Sequence, residues 1–302
     1  MTAVGVVGLG EMGSRIAGRL LDAGHGVHGT NRTKTKAEPL IARGMIWHDT
    51  PRDVAKAAGV VISMVTDDAA LEAIMGGSDG ILAGLSVGKV HVDMSSVSSH
   101  TSRPIAERVR SVGARMLDAP VSGSVPQVER GELAIMVGGD EEAYERVGPL
   151  LRQLGQTVTR VGDNGAGVLL KIAINISLAV QTLAFSEGLQ LAERGGIDPH
   201  LAADVMASSS IGSPMLKARV PLLLDLPHDA WFTIRLMHKD IRLALDAGLR
   251  LAIALPSASA ADDMLQWASD LGYAERDLAS LHDVLAQISG GSAPAPTTGA
   301  AA

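Results

Sequence analysis

The chain has 302 residues, enough for one large domain or two ordinary ones, and 46% of them are hydrophobic, the share of a packed globular protein. A formal net charge of −7 excludes a broad nucleic-acid-binding surface, and an aromatic content of 2% excludes stacking platforms for single strands. There is no cysteine, which excludes disulfides, thiolate metal sites and a cysteine nucleophile.

In chain order, residues 4–8 read as a strand, residues 11–23 as a helix and residues 25–30 as a second strand. Residues 60–65, 90–93, 116–118 and 133–138 continue the series of short β-branched runs. Strands that alternate with helical stretches predict a parallel, doubly wound α/β sheet. From about Gly165 the apolar spacing becomes helical. Residues 166–194 are expected to form one long helix, and Asp198 with Pro199 to cap and open the next. Further helices continue to about Gln287, and residues 289–302 are small and low in complexity, as in a disordered tail. The expected organisation is therefore a dinucleotide-binding domain at 1–163, an all-α domain at 164–288 and a tail at 289–302.

The first seven residues carry no basic segment and run straight into a strand pattern, so they do not read as a signal peptide. Lys171 breaks the longest apolar run, and Ser177 and Gln181 dilute the residues beyond it, so no transmembrane segment is expected. These features predict a soluble, cytoplasmic protein.

The first chemical motif is Gly8-Leu9-Gly10-Glu11-Met12-Gly13. It is a G-x-G-x-x-G that comes after a strand and opens a helix, the context that such a motif needs. Gly8 permits the turn, Gly10 lets the backbone approach a pyrophosphate, and Gly13 lets helix and strand pack closely. The helix N-terminus then faces the phosphates. About 20 residues on, an NAD enzyme usually presents an acidic residue to the ribose. This chain has Asn31-Arg32-Thr33, with Lys34 and Lys36 close by. No carboxylate repels a 2′-phosphate there, and Arg32 can fork onto one, so the expected cofactor is NADP, with NADPH preferred over NADH.

The second motif is Gly165-Ala166-Gly167-Val168-Leu169-Leu170-Lys171-Ile172-Ala173-Ile174-Asn175. Lys171 and Asn175 stand four residues apart and share a helix face. A lysine in so apolar a run is costly to bury unless its charge is used. The alternative is a lysine whose stem lies on apolar surface while its head reaches water. The nine histidines lack metal-ligand spacing, so no metal site is expected.

Four blocks occur in order: the Gly8–Gly13 motif, Asp118-Ala119-Pro120-Val121-Ser122-Gly123-Ser124, the Gly165 segment with Lys171 and Asn175, and Lys239-Asp240. Together they resemble the β-hydroxyacid dehydrogenase family over residues 2–287. Ser122-Gly123-Ser124, Phe185-Ser186-Glu187-Gly188-Leu189 and Ser213-Pro214-Met215-Leu216-Lys217 look most like its glyoxylate/succinic semialdehyde reductase branch. The resemblance implies an N-terminal Rossmann-type domain plus an all-α C-terminal domain, joined by a long helix. It implies an NAD(P)-dependent oxidoreductase in which Lys171 is general acid or base and Asn175 supports it. Ser96, Ser122, Gly123, Phe232 and Asp240 would touch substrate. Met64, Val65, Thr66, Ser96 and Lys239 would join the glycine loop and Asn31-Arg32-Thr33 at the cofactor. Each of the side residues has a plainer reading: Ser96 or Ser98 as a helix cap, Asp240 as a helix-surface charge, Phe232 as core. The substrate expected is a small aldehyde acid such as glyoxylate or succinic semialdehyde. Oxidation of 3-hydroxyisobutyrate or a related acid, and imine reduction on the same scaffold, are the alternatives. A 6-phosphogluconate dehydrogenase is not expected, because the C-terminal region is too short. A homodimer or homotetramer is expected, with neither nucleic acid nor membrane as partner.

Overall fold

The apolar run at the N-terminus forms β1 (Ala3–Val7), which lies inside its sheet rather than at the edge. The computed structural model describes residues 3–290. The expected tail from Gly291 onward lies outside the described residues; Ser289 and Gly290 end the last helix, Leu281–Ile288. Contacts divide the chain into two compact units between Ile172 and Ala173.

In the first unit, β1 is succeeded by β2 (Gly26–Thr30), β3 (Ile46–Trp47), β4 (Val60–Ser63), β5 (Val90–Asp93) and β6 (Arg115–Asp118). β7 (Val121–Ser122), β8 (Ala134–Gly139) and β9 (Thr157–Gly162) complete the sheet. The strand order is β3-β2-β1-β4-β5-β6-β8-β7, with β9 beside β8. β1 to β6 pair in parallel, so the ends of β1, β2, β4, β5 and β6 line one edge. The chain order reverses at β1, which places the mouth of the crevice there. β8 runs antiparallel to β6 and β7, so the sheet is mixed at its far side.

Adjacent residues in a strand face opposite sides, and both sides are covered. Val6, Ile62 and Leu117 pack with Ile16 and Leu20 of the helix Glu11–Asp22 and with Val147 and Leu151 of the helix Glu141–Leu151. Val7, Val61 and Met116 face the other layer, with Val54, Leu71, Ile105 and Val109. This is the doubly wound arrangement that the sequence predicts. The short β3 and β7 were not legible, because two residues carry no periodicity, and β9 is a half-covered strand with Thr157 and Thr159 exposed.

The helix Ala166–Arg194 runs from the first unit into the second. By length and composition it is apolar enough to cross a membrane, against the sequence expectation. The stretch after Lys171 holds one charged residue, Glu187, in the eighteen positions 172–189, and isolated serines and amides do not offset so many aliphatic residues. Part of its apolar surface is used as a core, with 44% of the apolar stretch buried. Ala179 and Leu183 pack with Ile234, Met237, Ile241, Leu265 and Leu281, and Phe185 and Leu189 with Ala203, Leu216 and Leu223. Around it stand the helices Pro199–Ser208, Pro214–Leu224, Ile234–Arg250, Pro256–Asp270 and Leu281–Ile288. Asp198 caps the first of these through the Leu201 N–H, with Pro199 in the first turn, as the sequence predicts.

Candidate active site

The glycine loop lies at the sheet edge between β1 and the helix Glu11–Asp22. Gly8 has φ +94°, and a Cβ there would stand 2.3 Å from the Met64 carbonyl oxygen. A Cβ on Gly13 would stand 2.0 Å from the Gly8 carbonyl oxygen, so strand and helix meet backbone to backbone. Gly10 caps the helix without a side chain, and a Cβ there would meet nothing within 4 Å. The loop is thus closed on the protein side and open at Gly10. Exposed Glu11 starts the helix, and Met12 packs against the core.

The Asn31 side chain ties two expected cofactor segments together. Its Oδ1 accepts the Leu9 N–H at 3.0 Å, and its Nδ2 donates to the Thr33 carbonyl at 3.0 Å. Arg32 and Thr33 are exposed, and no residue among those described holds the Arg32 guanidinium. Lys34 lies over the Trp47 ring, 5.4 Å from its centre, and Lys36 is exposed. The end of β2 is therefore a cationic corner with no carboxylate between Asn31 and Ala37.

At the ends of β4 and β5 a buried polar network appears that the sequence reading did not foresee. Ser63 Oγ and Ser95 Oγ each donate to Asp93 Oδ1 at 2.7 Å. Ser95 Oγ accepts the Val65 N–H at 2.9 Å, and His91 Nε2 lies 2.8 Å from Ser63 Oγ. With the Ser63 hydrogen given to Asp93, His91 Nε2 is the donor. The network ties Met64, Val65 and exposed Thr66 to the strand end that carries Ser96. Burial pushes the Asp93 carboxyl up to about 6, with nearby Asp118 adding to the rise, and pulls the His91 imidazole down to about 3. A histidine and an aspartate alternating with valines in Val90–Asp93 were the available signal. The hydrogen bonds that join them to Ser63 span about 30 residues of sequence and could not be read locally. Ser98, not Ser96, caps the next helix, through the Thr101 N–H.

β6 ends at Asp118, and Ser122 closes β7 two residues after Pro120. Ser122 is half-buried and Gly123 exposed, and Ser124 opens a short helix with Gln127 Oε1 accepting its N–H at 2.9 Å. Asp118 points back to the long helix: Oδ1 accepts the Gly165 N–H at 2.7 Å and Oδ2 the Val168 N–H at 3.0 Å. Burial raises the Asp118 carboxyl above the usual range, and these N–H groups oppose the rise. Lys171 stands one turn further along and is 8% exposed.

In the second unit Asn175, Asp240 and Lys239 form one cluster. Asn175 Nδ2 donates to Asp240 Oδ2 at 2.5 Å, and Lys239 Nζ lies 2.7 Å from Asp240 Oδ1. Asn175 and Asp240 are fully buried, so Asp240 is not a helix-surface charge. Phe232 is half-buried against the helical core, and Asp277 Oδ2 accepts the N–H groups of Trp231 and Phe232. Arg219 Nη1 balances the buried Asp277 at 2.9 Å. Among the described residues no histidine and carboxylate group forms a metal cluster.

Comparison with known proteins agrees with this architecture. Residues 3–162 match the NAD binding domain of 6-phosphogluconate dehydrogenase. Residues 165–285 match the family described as NAD-binding of NADP-dependent 3-hydroxyisobutyrate dehydrogenase. The chain is 34% identical to 2-hydroxy-3-oxopropionate reductase of Escherichia coli (strain K12), over 93% of this chain and 96% of that protein. It is 30% identical to glyoxylate/succinic semialdehyde reductase 2, chloroplastic, of Arabidopsis thaliana, over 94% of this chain and 79% of that one. A solved structure of Mycobacterium tuberculosis 3-hydroxyisobutyrate dehydrogenase with L-serine is similar at a TM-score of 0.83 and 30% identity, covering 94% of this chain and 99% of that one. With its glycine loop, lysine helix and two-part fold, the chain belongs to the β-hydroxyacid dehydrogenase family and is an NAD(P)-dependent oxidoreductase.

Proposed function

We propose that this enzyme reduces small aldehydes bearing a carboxylate, with glyoxylate and succinic semialdehyde favoured and NADPH as reductant. The observation that carries the reading is a lysine buried at the head of the long helix of the chain. Residues 1–163 would hold the dinucleotide, and residues 164–288 would supply substrate and oligomer contacts.

The residues present fit a dinucleotide. Gly10 leaves room for a pyrophosphate beside free helix N–H groups. Arg32, with Lys36 nearby, offers charge to a 2′-phosphate, and Asn31 holds the two loops in register. Met64, Val65, Thr66 and Ser96 line the same strand ends. The nicotinamide, when bound, supplies the hydride.

Lys171 gives a proton from Nζ to the carbonyl oxygen, or accepts one in the reverse direction. Asn175, one turn on, orients the lysine or the substrate, and Asp240 holds Asn175 and Lys239. Ser122 Oγ and the Gly123 N–H bind the substrate carboxylate, and Phe232 is the apolar residue assigned to substrate contact. The second reading is oxidation of 3-hydroxyisobutyrate or a related acid, favoured by the likeness to the Mycobacterium tuberculosis enzyme.

The test tracks NADPH and NADH absorbance with a panel of carboxylated aldehydes, and cofactor formation with 3-hydroxy acids. Fast NADPH consumption with the aldehydes supports the reading. Activity confined to the 3-hydroxy acids would replace it with the second. Arg32→Ala should weaken NADPH binding on the order of 10- to 100-fold, as loss of a charge-assisted contact does, and leave NADH binding unchanged. Equal weakening of both would refute the role given to Arg32.

A further inference from the structure

We infer that Asp118 is the positioning residue of the proton donor: it fixes the helix that carries Lys171 and refers that helix to the strand from which the Ser122 loop departs. The inference rests on the role proposed for Lys171.

Three observations carry it. The first is a two-point grip. Oδ1 takes the Gly165 N–H at 2.7 Å and Oδ2 takes the Val168 N–H at 3.0 Å, so both carboxylate oxygens serve the first turn of the helix. Asn164 reinforces it, donating from Nδ2 to the Met116 carbonyl at 2.9 Å and reaching Asp118 Oδ1 at 3.5 Å. The second is the seat of the helix. A Cβ on Gly167 would stand 2.5 Å from the Met136 carbonyl oxygen and 2.7 Å from that of Asp118, so the helix rests on the backbone of β6 and β8. Lys171 is four residues from Gly167 and three from Val168. A helix is stiff over one turn, so a shift at its seat moves the lysine by a similar amount. The third is chain connection. Three residues separate Asp118 from Ser122, and both precede the helix that Asp118 holds.

A single carboxylate thus ties the turn before the proton donor to the end of the strand that leads into the carboxylate-binding loop. An ordinary helix cap would add stability alone. Asp118 goes further, because the turn it fixes is the one before Lys171. Its charge also lies at the helix N-terminus, where the backbone dipoles favour it.

The test uses the full chain with Asp118→Ala, Asp118→Asn and Gly167→Ala, comparing kcat with NADPH affinity. Misplacement of a catalytic group by about 1 Å costs on the order of 100-fold in rate, so Asp118→Ala should lose about that much kcat with NADPH affinity unchanged. Asp118→Asn keeps one acceptor of the two and should lose less. Gly167→Ala should repeat the loss with Asp118 intact. Unchanged kcat in Asp118→Ala, or a parallel loss of NADPH binding in all three variants, would overturn the inference. If the wild-type chain reduces no aldehyde acid, the functional reading fails. The positioning role is then read from the NMR signal of the Lys171 side chain in isotopically labelled protein, assigned by its loss in Lys171→Ala. A shifted signal in Asp118→Ala supports the role, and an unmoved one overturns it.

Discussion

Asp93 and His91 sit two residues apart on one strand, are both fully buried, and respond to acid with opposite sign. Burial raises Asp93 from 3.8 to about 6, so the folded chain holds its proton more tightly than the unfolded chain does. Its contribution to stability is present below pH 3.8 and is lost as the pH rises through about 6. The difference of about two pH units corresponds to roughly 3 kcal/mol. His91 falls from 6.5 to about 3, so its contribution is present above pH 6.5 and is lost as the pH falls toward 3. Asp93→Asn removes the first effect and leaves the second. Its melting temperature should exceed that of the wild type above pH 6, with the gap closing toward pH 4. A gap that stays constant across that range in a thermal-denaturation series would show that Asp93 does not titrate in the folded protein.

At the scale of elements, the glycine loop is packed backbone to backbone at Gly8 and Gly13, with Asn31 Oδ1 as a side-chain tie to the Leu9 N–H. Gly13→Ala would bring a Cβ to 2.0 Å from the Gly8 carbonyl oxygen, and neither atom can yield without parting β1 from its helix. Overpacking of this kind costs about 1–3 kcal/mol. Gly13→Ala should therefore lower the melting temperature and weaken NADPH binding together, whereas Gly10→Ala, which meets nothing in the protein, should weaken binding alone. Wild-type stability in Gly13→Ala would contradict the close approach. The elements themselves were largely legible. The strands at Val4, Val60 and Val90 announced themselves as β-branched runs bounded by polar turns, and residues 166–194 as an unbroken helical pattern. The antiparallel turn at β8 was not, since direction depends on where a connection returns and not on the strand's own residues.

For the whole molecule, the ordered blocks are enough to carry the family, because each couples a residue type to a local shape: glycines at a turn, a lysine in an apolar helix. What local pattern could not give was partnership. Asp118 holds residues 47 and 50 positions away, and Asn175 meets Asp240 across 65. Asp118 therefore reads in sequence as a mere strand end and Asp240 as a surface charge, although both are buried anchors of helices. The central claim is that the buried lysine supplies the proton and that the dinucleotide site stands without it. The most direct test is Lys171→Ala, measured at once for NADPH affinity by fluorescence titration and for turnover with glyoxylate or succinic semialdehyde. Loss of a general acid lowers turnover by roughly 10²- to 10⁴-fold, and that loss with unchanged NADPH affinity is the predicted result. Turnover retained at the wild-type level would contradict the account.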